Sequence, residues 1–126
     1  PSQVEFTFDS EFAEKIIPHS PALFEWVIEN LCKNAVDAMK AVGVLNINLF
    51  EDETGIIIDV TDSGSGISPK NIKNVFSPGF TTKKRGWGLG LSLARRIIED
   101  FHDGKIKVAQ SQIGKGTIMQ IALKTV

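Results

Sequence analysis

Hydrophobic and polar positions follow two different rhythms along this 126-residue chain. In residues 3–8 (QVEFTF), Val4, Phe6 and Phe8 recur at every second position, the period of a half-buried strand. A weaker apolar segment around 11–17 predicts a short helix. Ser20-Pro21 then gives a helix start, because serine can cap and proline's missing N–H costs nothing at the first helical position. Leu23, Val27, Leu31, Ala35, Ala38 and Val42 make one apolar stripe at about 100° per residue. A helix is therefore expected to about residue 41, stopping at Gly43. Leu45, Ile47 and Leu49 return to a period of two, and EDETG turns the chain into a third strand over 56–61. Residues 62–66 (DSGSG) read as a loop, and Ser68-Pro69 repeats the cap-and-proline signal for a short helix to about Phe76. A mobile loop over 77–87 and a third helix over 89–101, ended near Asp103-Gly104, are expected next. Residues 105–110 and 117–123 form the strands of a hairpin turning through 111–116. About five strands grouped in hairpins and about three helices give an α/β fold class: a two-layer α/β sandwich, helices on one face of a mixed sheet.

The length fits one compact unit, 1–126, that buries roughly two-thirds of its unfolded surface. Fourteen Lys and Arg against 15 Asp and Glu argue against a generically basic nucleic-acid binder and an acidic disordered tail. Cys32, the single cysteine, cannot form an internal disulfide. No apolar run approaches the roughly 18 residues that a membrane span needs. These features predict a cytoplasmic domain without direct membrane contact, and Pro1 in place of Met predicts a piece of a longer protein.

Charge is balanced overall and uneven along the chain. Residues 63–98 hold seven bases (Lys70, Lys73, Lys83, Lys84, Arg85, Arg95 and Arg96) and no Asp or Glu, which leaves the remainder at −8. Six of the 11 glycines fall in the same stretch. A charge run by itself is usually a solvated face. Glycine, however, lets backbone N–H groups approach an anion while lysine and arginine neutralise it, so the combination points to a phosphorylated small molecule. Aromatic interleaving is absent, which disfavours nucleic acid. On the first helix Asn30, Asn34 and Asp37 share a face beside the apolar stripe. An amide oxygen there suits Mg²⁺, which takes one or two protein ligands and otherwise phosphate and water. A solvated polar edge is the simpler reading of that face taken alone.

Five short motifs in order resemble one family. Residues 29–39 (ENLCKNAVDAM) look like the N box of the ATP-binding domain shared by sensor histidine kinases, gyrase B, Hsp90 and MutL. Residues 62–66 match the first glycine box, D-x-G-x-G; 75–83 (VFSPGFTTK) resemble the F box; 86–91 (GWGLGL) match the second glycine box; and 114–117 (GKGT) match the last element. Each is weak alone, whereas the ordered set covers about 20–123. The pattern is most similar to the catalytic domain of a bacterial two-component sensor histidine kinase.

That resemblance implies a Bergerat fold with a flexible ATP lid, and ATP and Mg²⁺ as substrate and cofactor. It casts Asp62 as acceptor of the adenine amino group, with Gly64 and Gly66 letting the chain pass close to the base and Ile67 and Ile72 as apolar contacts. Thr117 would support Asp62 through its hydroxyl, directly or by way of a water. Asn34 would bind Mg²⁺, with Asn30 on the phosphate side and Asp37 structural. Gly86, Gly88 and Gly90, with Leu89 and Leu91, would present N–H groups and a helix end to the phosphates. In the lid, Thr81, Thr82, Lys83 and Arg85 would face the nucleotide, Lys83 and Arg85 reaching the terminal phosphate, while Phe76 and Phe80 pin the lid's base. Trp87 departs from the small residue usual there.

In the gyrase, Hsp90 and MutL branches a glutamate four residues before the metal-binding asparagine activates water; here that position is Asn30, which cannot accept a proton at neutral pH. The resemblance therefore implies transfer to another nucleophile, a histidine on a dimerisation domain outside this chain. A response regulator would act downstream, and the isolated chain would be monomeric. Neither His19 nor His102 has the phosphoacceptor context. Two alternatives stay open: a serine-phosphorylating anti-sigma-factor kinase of the same fold, and a non-catalytic nucleotide-binding module.

Overall fold

The structure is a computed structural model that describes residues 3–10, 21–40, 42–53, 55–77, 90–101 and 103–124. The helix expected around 11–17, His19, His102 and lid residues 78–89 lie outside these. The described elements, in chain order, are β1 (Gln3–Ser10), α1 (Pro21–Ala38), β2 (Val42–Glu51), β3 (Ile56–Asp62), α2 (Pro69–Ile72), α3 (Gly90–Arg96, continued by a π-helical turn, Ile97–Phe101), β4 (Lys105–Gln112) and β5 (Gly116–Leu123). The strands make one mixed sheet in the order β1-β2-β3-β5-β4, with β1 parallel to β2 and the other pairs antiparallel.

Strand register turns the period-two pattern into two chemically different faces. Leu49, Ile58, Ile121 and Ile106 lie opposite one another across four strands, and all are buried. The neighbouring row on the other face is Asn48, Asp59, Gln120 and Lys107, where Gln120 donates to Asp59 at 2.9 Å. The apolar face packs against Val27, Leu31, Ala35 and Met39 of α1 and Ala94, Ile97 and Ile98 of the α3 segment. One face is thus dry and helix-covered, as the sequence predicts. Each large side chain removed from water there contributes about 1.5–3 kcal/mol.

Three element ends differ from expectation. Helix α1 ends at Ala38 rather than about residue 41, because Lys40 donates to Asp37 in a tighter turn and takes a positive φ of 53°. The short helix after Ser68 stops at Ile72 instead of near Phe76, and the chain continues as turns with Asn74 and Ser77 each donating to a carbonyl three residues back. Ser68 occupies the cap position, yet its hydroxyl makes no capping bond; its backbone carbonyl accepts from Asn71 and Ile72 instead. The last hairpin also pairs further than expected, leaving only residues 113–115 unpaired at its tip. At the far end of α3, Gly104 donates back to Ile98 at 2.9 Å and Asp103 takes φ 48°, which closes the helix with a left-handed residue.

Candidate functional site

The loop after β3 is built against the end of α1. A helix leaves its last carbonyls without partners, and one of them, Ala38 O, accepts Ser65 N–H at 3.0 Å. The approach is so close that a Cβ on Gly64 would lie 2.8 Å from the Ala38 backbone, so only glycine fits there. Gly66 has φ +77°, and a Cβ there would meet Gln112 O at 2.2 Å. The β4–β5 hairpin holds the loop's other side, with Gly114 donating to Ser65 O at 2.8 Å.

Asp62, the last residue of β3, is buried at the root of this loop. Its Oδ1 accepts Gly64 N–H at 2.8 Å. Burial pushes its carboxyl above the ordinary 3.8, while the backbone N–H groups of Gly64 and Thr117 pull the other way. A buried carboxylate with hydrogen-bonding capacity left over can accept from an N–H donor such as an exocyclic amine.

Thr117 faces Asp62 across the β3–β5 pair and is buried. Its hydroxyl lies 2.8 Å from Ser111 Oγ, and Thr117 meets the Asp62 carboxylate directly through its backbone N–H. Thr117 lies opposite Asp62 on one neighbouring strand and opposite Ser111 on the other, and its hydroxyl contact is with Ser111. Ser111 also accepts Ile67 N–H at 2.7 Å. Sequence reasoning missed Ser111 because it assigned residue 111 to the turn; a hydroxyl six residues before Thr117 across a tight hairpin was the available signal.

A second group forms where α1 meets α3. Gly90 abuts Asn30: a Cβ on it would sit 2.8 Å from Asn30 Oδ1. Asn30 Nδ2 is buried with no acceptor among the described residues. Asn34, one turn later, is half-buried, and Asp37 is exposed. Asp37 lines a separate hollow of about 310 Å³ with Cys32, Lys33 and Val36. Burial and the nearby Glu29 push the Cys32 thiol up, so it is an apolar filler packed on the core. Leu91 and Phe76 pack against that core as well, and Arg95, paired with Glu99 at 2.9 Å, lies 5.8 Å from the centre of the Phe76 ring. Ile67 and Ile72 are half-buried. Thr81, Thr82, Lys83, Arg85, Gly86, Gly88 and Leu89 lie outside the described residues, as do Phe80, Lys84 and Trp87.

Among the described residues, no three His, Cys, Asp or Glu side chains converge into a metal cage. A hard cation sharing one amide oxygen with phosphate and water needs no such cage, and an orphaned amide N–H beside a glycine suits a phosphate oxygen.

Comparisons with known proteins agree with this geometry. The family described as "Histidine kinase-, DNA gyrase B-, and HSP90-like ATPase" matches residues 19–126. Sensor histidine kinase ZraS of Escherichia coli (strain K12) is 40% identical over 121 residues, covering 96% of this chain and 25% of ZraS. Sporulation kinase C of Bacillus subtilis (strain 168) is 36% identical over 97 residues, 77% of this chain and 22% of that protein. The chain thus spans about a quarter of the length of these curated relatives. Among solved structures, the catalytic domain of histidine kinase ThkA superposes with a TM-score of 0.85 at 31% identity, covering 98% of this chain and 80% of that one. Mycobacterial sensor histidine kinase MprB superposes at 0.80 with 21% identity, a likeness of fold alone.

Proposed function

The chain belongs to the family of histidine kinase-, DNA gyrase B- and HSP90-like ATPases, and from that premise we propose that residues 1–126 are the single ATP-binding catalytic domain of a sensor histidine kinase. In this reading it binds ATP with Mg²⁺ and donates the γ-phosphoryl group to a histidine on a separate dimerisation domain, from which a response regulator is served. The observation that carries the reading is Asp62: a buried carboxylate, fixed by Gly64, at the root of a loop whose Gly64 and Gly66 are packed too closely against Ala38 and Gln112 to carry a side chain. The kinase relatives support the choice of reaction over the hydrolytic branches of the family.

Each residue's part follows from its chemistry. Asp62 accepts the amino group of adenine and so selects it over a base presenting a carbonyl there. Asn30 Nδ2 offers its unused N–H to a phosphate oxygen. Asn34 holds Mg²⁺ through its side-chain oxygen; bound there, the ion neutralises phosphate charge. Lys83 and Arg85 reach the terminal phosphate from the lid. Phosphoryl transfer depends mainly on positioning and charge neutralisation, which these groups supply. Asn30 cannot deprotonate water, so ATP is held intact until the histidine arrives. No helix among the described residues is long and apolar enough to cross a membrane. A cytoplasmic location, an isolated monomeric state and the absence of nucleic-acid or direct membrane contact complete the reading.

Titration calorimetry tests it. ATP and ADP are expected to bind the chain, Asp62→Ala to abolish binding, and Asn34→Ala to remove the Mg²⁺ dependence. With radiolabelled ATP, acid-labile phosphate should appear on an added helical domain carrying the phosphoacceptor histidine, and none on this chain alone. Label on an anti-anti-sigma-factor serine instead would move the assignment to the serine-kinase alternative.

A further inference from the structure

A hydroxyl has one proton to donate and two lone pairs to accept with, and Ser111 uses this capacity on two segments, the base loop and β5. It accepts Ile67 N–H at 2.7 Å, lies 2.8 Å from Thr117 Oγ1 and 3.3 Å from Gly116 O. Ile67 follows Gly66 at the exit of the base loop, and Thr117 faces Asp62 across the sheet. The hairpin also holds this loop through the backbone bond from Gly114 to Ser65, which no side-chain substitution at 111 removes. Ser111 thus ties the Ile67 end of the loop to Thr117, the residue opposite Asp62. Two proton arrangements satisfy the cluster. In one, Ser111 donates to Thr117, and the Thr117 proton is free for another acceptor. In the other, Thr117 donates to Ser111, which donates to Gly116 O over the longer distance. The 2.8 Å contact is common to both, so in either arrangement Ser111 holds the Thr117 hydroxyl.

We propose that Ser111 is a positioning residue for the purine pocket: it locks the Gly66–Ile67 exit of the base loop to β5 and holds the Thr117 hydroxyl, whose residue's N–H meets Asp62. Its bonds go to the segments that frame Asp62, so its effect falls on the base. The inference rests on the ATP-binding reading, and one set of measurements separates the two.

Calorimetry with ADP on the unsubstituted chain, Ser111→Ala and Ser111→Thr, each well below its thermal midpoint, supplies the test. Losing the tie is expected to weaken ADP binding about tenfold in Ser111→Ala, the equivalent of roughly one to two hydrogen bonds. Ser111→Thr, which keeps the hydroxyl, returns affinity to within about threefold of the original. Amide exchange should quicken at Ile67 in Ser111→Ala while α1 and β3 keep their protection, a local signature that general destabilisation does not give. Original affinity in Ser111→Ala overturns the inference. So does an affinity loss accompanied by equal acceleration of exchange across β3 and β5. If the unsubstituted chain binds no ADP, the ATP-binding reading falls first and takes this one with it.

Discussion

Taking water away from the Asp62 carboxyl raises the free energy of its charged form, and the N–H groups of Gly64 and Thr117 offset only part of that rise. The sign of the pH dependence follows. Below the ordinary value of 3.8 both folded and unfolded chains hold the proton, and the group contributes nothing. As pH climbs from there through the raised folded value, the unfolded chain ionises first, and stability is lost. Above the folded value the loss is complete. Asp62→Asn removes this titration, so the melting temperature of the unsubstituted chain minus that of Asp62→Asn should fall as pH rises through the window and then level off. A difference flat across acid pH, measured by thermal melts in matched buffers, would show that Asp62 is not destabilised by burial. Asp62 and Thr117 were both legible from motif spacing. The partner of the Thr117 hydroxyl was not, because it depends on which residue the hairpin register sets opposite.

Between elements, the base loop is held by backbone atoms as well as by side chains, so glycine positions report on it directly. Gly66 and Gly114 both take positive φ, +77° and +79°, yet a Cβ at Gly66 would strike Gln112 O at 2.2 Å, whereas at Gly114 it would meet nothing within 4 Å. Gly114→Ala should therefore cost only the left-handed backbone strain, about 1 kcal/mol. Gly66→Ala should cost about 3 kcal/mol or more, and nucleotide affinity with it, since the hairpin must move away. Urea midpoints of the two variants check this, and equal losses would mean the loop and hairpin are not in contact as described. The sequence marked both glycines as turn residues without ranking them, because closeness to Gln112 is a tertiary fact. Capping at Ser68 was misread for a similar reason: Asn71 and Ile72 find the backbone carbonyl first, and the buried hydroxyl has no partner among the described residues.

On the scale of the whole molecule, the dry face of the sheet ties the strands to both major helices. Ile58 and Ile121 sit opposite each other and are 1% and 0% exposed, at the centre of the cluster shared with Leu31 and Ile98. Truncating either to alanine is expected to lower stability by about 2–5 kcal/mol. The double variant should depart from additivity by at least about 0.5 kcal/mol, because both cavities share walls. Chemical denaturation followed by fluorescence and by circular dichroism should give coincident transitions, and separate ones would show that the sheet and helices do not share one core.

The sequence by itself determined the element types, their order and the two-layer class, because strand and helix periods are local and the turn residues stand where the chain must bend. It also determined family membership, since the motifs carry their own backbone requirements in glycine and their own chemistry in asparagine and aspartate. Only the tertiary structure decided the strand order β1-β2-β3-β5-β4, the seat of Asn30 against Gly90 and the cluster of Ser111, Thr117 and Ile67. Those depend on which surfaces meet when the apolar face is buried, and packing between residues distant in sequence leaves no periodic trace along the chain.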